Sequence, residues 1–126
     1  GPETLADLVD GRIGNLLEEG RFPVVLGGEH SVSIGLIRAH ARRHAGLTVL
    51  QLDAHPDLYD HYEGDPYSHA CPFARAMESG RVARLIQVGI RSTTRHQREQ
   101  AQRFGVEVHE MRHRPWRLPM SFTGPL

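Results

Sequence analysis

Leu47-Thr48-Val49-Leu50-Gln51-Leu52-Asp53-Ala54-His55-Pro56-Asp57 runs from an apolar stretch straight into three metal-ligating side chains. The run Leu47–Leu52 has the length and composition of a buried parallel strand, and Gly46 just before it closes whatever precedes. Ligands of open α/β sheets bind beyond the carboxyl ends of the strands, which is where Asp53, His55 and Asp57 fall. Alternate residues of an extended segment face the same way, roughly 7 Å apart. Asp53 and His55 therefore address one site, and a bend at Pro56 brings Asp57 round to it.

Working outward, the same design occurs upstream. Phe22–Leu26 is a short apolar run predicted to be a strand, and Gly27-Gly28-Glu29-His30-Ser31 follows at its carboxyl end. If the two strands are neighbours, their ends lie about 5 Å apart and His30 converges on the Asp-x-His-x-Asp cluster. The glycine pair lets the backbone turn sharply there. Ahead of that strand, Leu5, Leu8, Val9, Leu16 and Leu17 predict a helix over residues 4–19, with Thr4 as its cap and Gly20 ending it. A second helix is expected from about Ser31 to His44, with Ile34, Ile37 and Ala41 on one face. Downstream come a polar loop over 54–68, a helix over roughly 70–79 ending at Gly80, and a strand Leu85–Ile90. Thr94-Arg95-His96-Gln97 opens a fourth helix with a capping-box pattern, Gly105 ends it, and Val106–Glu110 is a further strand. Residues 121–126 read as the lead-in to one more. Helix, glycine and strand in regular alternation predict an α/β protein with a parallel sheet and helices on its faces.

Composition narrows the function. Lys plus Arg and Asp plus Glu are 15 each, so no net charge argues for nucleic acid or a membrane surface. Hydrophobic residues make up 39%, enough for a core, while no apolar run is long enough to span a bilayer. The single Cys71 cannot form an internal disulfide, and no signal-peptide pattern opens the chain, so the cytoplasm is the expected compartment. Of the nine histidines, His40, His44, His96, His109 and His113 read as surface residues, and His61 is left open. The mixed imidazole and carboxylate set at His30, Asp53, His55 and Asp57 suits Mn, Fe(II) or Zn rather than Ca.

At these residues the sequence resembles the arginase/agmatinase (ureohydrolase) family. Gly27–Ser31 and Leu52–Asp57 are similar to its two metal motifs. Tyr67-Ser68-His69-Ala70 resembles its catalytic-histidine loop, and Gln87-Val88-Gly89-Ile90-Arg91-Ser92 a typical strand. The resemblance runs from about residue 20 to 111 and implies a three-layer α/β/α fold, present here as a partial domain over 1–126. It implies that His30, Asp53 and Asp57 hold one Mn2+, that His55 holds a second with Asp53 bridging, and that His69 carries a proton to the leaving amine. A hydroxide held between the ions would attack the guanidinium carbon of a small cationic substrate, releasing urea and an amine. A guanidinium is a poor electrophile, so a strong, positioned nucleophile is required. Asp57, Asp60, Glu63 and Asp65 give the loop a negative field suited to such a cation. Tyr59 and Ser68 are candidate substrate contacts. Arginases of the family usually place small polar residues after the second motif, so Leu58, Tyr59 and Asp60 there lean the expectation toward agmatine. The stretches His55-Pro56-Asp57-Leu58-Tyr59-Asp60 and Ser68-His69-Ala70 also resemble a group that includes plant-type arginases, leaving L-arginine and other guanidino compounds as alternatives.

The sequence departs from the family in one respect that bears on charge. No Asp lies beyond Asp65 and no Glu beyond Glu110, so a later Asp-x-Asp metal motif is missing. Two dications and a hydroxide carry +3, of which Asp53 and Asp57 offset two, and burying the remainder unpaired is costly. The expectation is therefore a fragment lacking N-terminal and C-terminal parts of a longer enzyme, which would assemble as a trimer or hexamer when full length. A non-catalytic subunit of the same fold is the alternative. A single-metal deacetylase of this fold would use the Asp-x-His pair without needing Gly-Gly-x-His. A metallophosphoesterase would require Asn-containing motifs that are absent.

Overall fold

The computed structural model describes residues 1–113; the strand lead-in expected at 121–126 lies outside them. Helix α1 (Pro2–Glu18) packs along α2 (Val32–Arg43), followed by β1 (Leu47–Leu52), α3 (Pro72–Glu78), β2 (Val82–Ile90), α4 (Arg95–Phe104) and β3 (Glu107–Glu110). The three strands form one parallel sheet in the order β1-β2-β3. Both crossovers are helical, as the alternation of signals predicts.

Local chemistry explains most boundaries. α1 begins at Pro2 rather than behind a Thr4 cap, because proline's fixed φ suits a first helical position and its missing N–H is not needed there. Thr94 does cap α4, its hydroxyl accepting from the Gln97 N–H at 3.3 Å. The Gln97 side chain, however, does not return to complete a capping box; it points inward to the loop after β1. Ile37 and Ala41 of α2, Phe73 and Ala76 of α3, and Val82 and Leu85 of β2 make the core together with Leu58. Leu47, Val49, Ala101 and Phe104 close around it. The α1–α2 contact is tight because residue 35 is glycine. A Cβ at Gly35 would stand 2.3 Å from the Ala6 carbonyl oxygen and 2.8 Å from the Asp10 nitrogen. Asp7–Arg38 and Asp10–Arg42 ion pairs flank that contact at 2.9 and 2.6 Å.

Two further expectations fail. Phe22–Leu26 is not a strand and pairs with no strand among the described residues. Phe22, Val24 and Leu26 lie open to solvent. A parallel strand is held by the backbone groups of a neighbour, and apolar composition alone supplies none. β1 is a strand as expected but not a buried one, since it pairs on one side only and leaves Leu50 and Leu52 exposed. The two carboxyl ends are therefore not adjacent strand ends, and the convergence of His30 with the loop after β1 needs another cause. No helix of the described residues is long and apolar enough to cross a membrane. Burial pushes the Cys71 thiol up to about 11, which makes it a core side chain and a poor nucleophile.

Candidate metal centre

The site is built on the loop that leaves β1. Asp53 continues the ladder by one bond, its N–H donating to Val88 O at 3.0 Å. Its carboxylate is then held at both oxygens. Oδ1 accepts the His55 N–H at 3.0 Å and Oδ2 accepts Gln51 Nε2 at 3.2 Å. Burial pushes the Asp53 carboxyl up, but these hydrogen bonds and the facing His30 outweigh it and leave the pKa below the usual value. Close packing also sets the position of Asp53. Gly89, at φ 93°, lies where a Cβ would come 3.2 Å from the Asp53 carbonyl oxygen, beside the register shift in β2.

Asp57 adopts a left-handed backbone with φ 48°, uncommon for a non-glycine residue. Its neighbours hold it there. Asp57 O accepts from Phe73 N at 3.2 Å. Leu58 is fully buried, with its N–H given to Gln97 Oε1 at 3.3 Å and its carbonyl taken by Gln100 Nε2 at 3.2 Å. His30 arrives from the turn ahead of α2. Its carbonyl accepts from Ser33 N at 3.0 Å and its ring meets Phe73 edge-on, centroids 5.5 Å apart. What brings His30 to the loop is thus α2 packed on α3, not a strand beside β1.

The result is a compact donor group. His30, Asp53 and Asp57 each offer a ligand atom, all within 4.8 Å of one another. His30 Nδ1 stands 2.7 Å from Asp57 Oδ2 and 3.9 Å from Asp53 Oδ2. The hydrogen bond to Asp57 raises the His30 pKa against the opposing effect of burial. His55 is not in this group, but its Nδ1 lies 3.7 Å from Asp53 Oδ1, the other oxygen of the same carboxylate. Asp53 therefore faces His30 with one oxygen and His55 with the other. Three half-buried donors of imidazole and carboxylate type fit a first-row divalent ion.

These side chains open on a cleft of about 490 Å³ that also includes Tyr59, Tyr62, His69, Ser92, Thr93 and Thr94. His69 Nδ1 is 3.4 Å from Ser68 Oγ and 4.0 Å from Glu29 Oε1, and its ring lies edge-on to Tyr62 at 5.5 Å. Tyr59 lines the cleft between Tyr62 and His96, ring centroids 5.6 and 5.7 Å away. Ser68 does not line it. Its side chain is buried, with Oγ 3.4 Å from Ala70 N, a placement that shapes the loop beneath His69. His96 and His61 flank Asp60, at 2.9 and 3.0 Å.

Residues 2–117 match the model of the arginase family. The chain belongs to the arginase family. It is 50% identical over 112 residues to arginase 1, mitochondrial, of Oryza sativa subsp. indica, covering 87% of this chain and 33% of that protein. Agmatinase of Bacillus subtilis is 35% identical over 107 residues, covering 85% of this chain and 37% of that protein. Among solved structures, arginase from Medicago truncatula superimposes with a TM-score of 0.81 at 47% identity, covering 87% of this chain and 35% of that one. The fold is thus arginase-like, and the chain spans about a third of the length of the relatives it matches. Agmatinase, toward which the residues after the second motif lean, is the less similar of these two named relatives.

Sequence reasoning missed the glutamines. Gln51, Gln87, Gln97 and Gln100 are all buried, and each bonds to the loop between Asp53 and Leu58 or to a side chain that does. The available signal was an amide inside an apolar strand run, at Gln51 and again at Gln87.

Proposed function

We propose that this chain carries metal-binding and proton-transfer residues of a hydrolase that cleaves a guanidino compound to urea and an amine. The observation that supports it most is the meeting of His30, Asp53 and Asp57 within 4.8 Å at the mouth of a cleft that also holds His55 and His69. His30, Asp53 and Asp57 would hold one Mn2+, and His55 with the second oxygen of Asp53 would contribute to another. Manganese, when bound, would supply an activated water at neutral pH and a positive field against developing charge. Asp53 and Asp57 would be engaged by the ions, so the loop carboxylates Asp60, Glu63 and Asp65 supply the negative field for the cationic guanidinium, and the wall of Tyr59 and Tyr62 excludes water from its flank. His69, exposed at the cleft edge, delivers a proton to the departing amine nitrogen.

L-Arginine is the first substrate to test. Ser92, Thr93 and Thr94 line the cleft and offer hydroxyls suited to an amino-acid terminus, and the higher identity is to an arginase. Agmatine is the second reading, because no Lys or Arg lines this cleft among the described residues to balance a substrate carboxylate. The complete protein is proposed to be a homo-oligomer.

The test is Mn2+ binding followed by the signal of the free ion, with urea release from L-arginine and agmatine. The 126-residue chain is expected to take up at most one Mn2+, to lose it in Asp53→Asn, and to release no urea, because only two carboxylates face the ions. Unchanged Mn2+ binding in Asp53→Asn would remove the ligand assignment. Two tightly held ions with turnover would show the site to be complete within this chain.

A further inference from the structure

The ligand Asp53 is connected to the interior of the sheet by two amides in series. Gln87, fully buried in the middle of β2, places its Nε2 2.6 Å from Gln51 Oε1 and 2.6 Å from the carbonyl of Pro56. Gln51, buried on β1 and opposite Gln87 in the register, places its own Nε2 3.2 Å from Asp53 Oδ2 and 2.9 Å from the carbonyl of His55. The orientation of both amides is set by chemistry. A backbone carbonyl only accepts, so the nitrogen of Gln87 must face Pro56 and the nitrogen of Gln51 must face His55. The Gln51 oxygen is then left to accept from Gln87. The hydrogen bonds run one way, from Gln87 through Gln51 to the carboxylate, and such chains polarise one another in a low-dielectric interior.

We infer that Gln87 and Gln51 form a positioning relay that holds the Asp53 carboxylate, and the His55–Pro56 backbone beside it, in the arrangement a divalent ion requires. Neither residue lies among the candidate ligands, and Gln87 touches none of their side chains. The inference rests on the metal-binding reading of Asp53. Its physical reason is preorganisation. A carboxylate rotating freely at the end of a half-exposed edge strand would have to be ordered by the ion itself. Here the Gln51 amide occupies one lone pair of Oδ2, the His55 N–H occupies Oδ1, and the remaining lone pairs stay available on the cleft side.

The experiment measures Mn2+ affinity of the 126-residue chain and of Gln51→Met, Gln87→Met and the double variant. Methionine keeps the length and removes the donors. Each single variant is expected to weaken Mn2+ about 10- to 100-fold, as loss of an outer partner of a metal ligand does. The double variant is expected to lose less than the product of the two single losses, because Gln87 acts partly through Gln51 and partly through the Pro56 carbonyl. Ile86→Val, a neighbouring change on β2, should lower the melting temperature and leave Mn2+ affinity unchanged. Affinity within about twofold of wild type in Gln87→Met, or losses that multiply in the double variant, would overturn the relay. A second measurement needs no variant of the glutamines and no metal. The side-chain amide signals of Gln51 and Gln87 should exchange slowly with solvent, and Asp53→Asn should shift those of Gln51. Fast exchange of both overturns the relay even if Mn2+ binds. Absence of Mn2+ uptake by the wild type, with protected amides, overturns the metal-binding reading and leaves the relay standing.

Discussion

Two stretches of this chain share one local design, an apolar run followed by a turn that carries candidate metal ligands, and they reach different states. Leu47–Leu52 becomes β1, paired with β2 in unbroken register from Thr48 to Leu52, and the loop after it is tied down by four buried glutamines. Phe22–Leu26 pairs with nothing among the described residues and shows its side chains to solvent. The difference lies in the neighbour. β1 lies beside a nine-residue strand whose own faces are covered by core side chains. Both turns nevertheless bring their candidate ligands together, because His30 is placed by the start of α2 and by Phe73. Helix packing can stand in for strand pairing where a site needs only one side chain from a segment.

Two leucines measure this contrast. Leu58, one residue past the ligand Asp57, is 0% exposed, whereas Leu26, one residue before the other ligand turn, is 95% exposed. Leu58→Ala should destabilise the chain by about 2–5 kcal/mol, the range for emptying a leucine site in a packed core. It should also weaken Mn2+ binding, because the left-handed turn at Asp57 depends on the clamp at residue 58. Chemical denaturation and Mn2+ titration check the two effects, and an unfolding free energy within 1 kcal/mol of wild type would sink the account of the loop as part of the core. Gly35→Ala tests how the other turn is held. Its methyl meets backbone of α1, which cannot swing aside as a side chain end can, so α1 and α2 must separate at a cost of about 1–3 kcal/mol. Mn2+ affinity should fall with it, since α2 carries His30. Leu26→Ser should change stability by less than about 0.5 kcal/mol, as surface substitutions do. A loss comparable to that of Leu58→Ala would mean that the segment is packed in solution, and the contrast would be gone.

The same pair of regions shows what the sequence disclosed. The four ligand candidates stood out because each is a chemically specific residue beside a glycine turn or just past a strand, His69 came only from the resemblance of its loop, and the helix–glycine–strand alternation disclosed the parallel sheet. Strand status at 22–26 was not legible, because it depends on a backbone partner that no property of Phe22 or Leu26 encodes. Half-exposure of β1 was hidden for the same reason: Leu50 and Leu52 look like core residues until the sheet is seen to end there. The glutamine scaffold was hidden differently. Gln97 reads as the last residue of a capping box, and only tertiary structure shows that its side chain serves Leu58 while Thr94 caps its N–H.

β3 supplies the smallest test of the comparison, and it runs in the opposite direction. Its four residues are fewer and more polar than Phe22–Leu26, yet it is a strand, paired with β2 along one side. Either the backbone ladder holds it there or the side-chain pair between Arg84 and Glu107 does, with Nε to Oε1 at 2.9 Å and Nη2 to Oε2 at 3.0 Å. The Arg84 guanidinium holds the Glu107 carboxyl below its usual value of 4.5. A folded pKa depressed in this way stabilises the fold at pH above the unfolded value and loses that contribution as pH falls through the folded one. Glu107→Gln should therefore lower stability slightly near neutral pH, and the gap from wild type should close below about pH 4. Both groups are partly open to solvent, so the effect is expected to be the smallest of the series and to shrink further at high salt. Urea denaturation across that pH range, with amide exchange of Val108 and His109 read alongside, separates the two causes. If β3 keeps its slow amides in the variant, the ladder makes the strand, which is the condition Phe22–Leu26 lacks. If those amides become fast, one ion pair is sufficient to decide whether an edge segment pairs, and the lack of a neighbour is no longer the whole explanation for the other region.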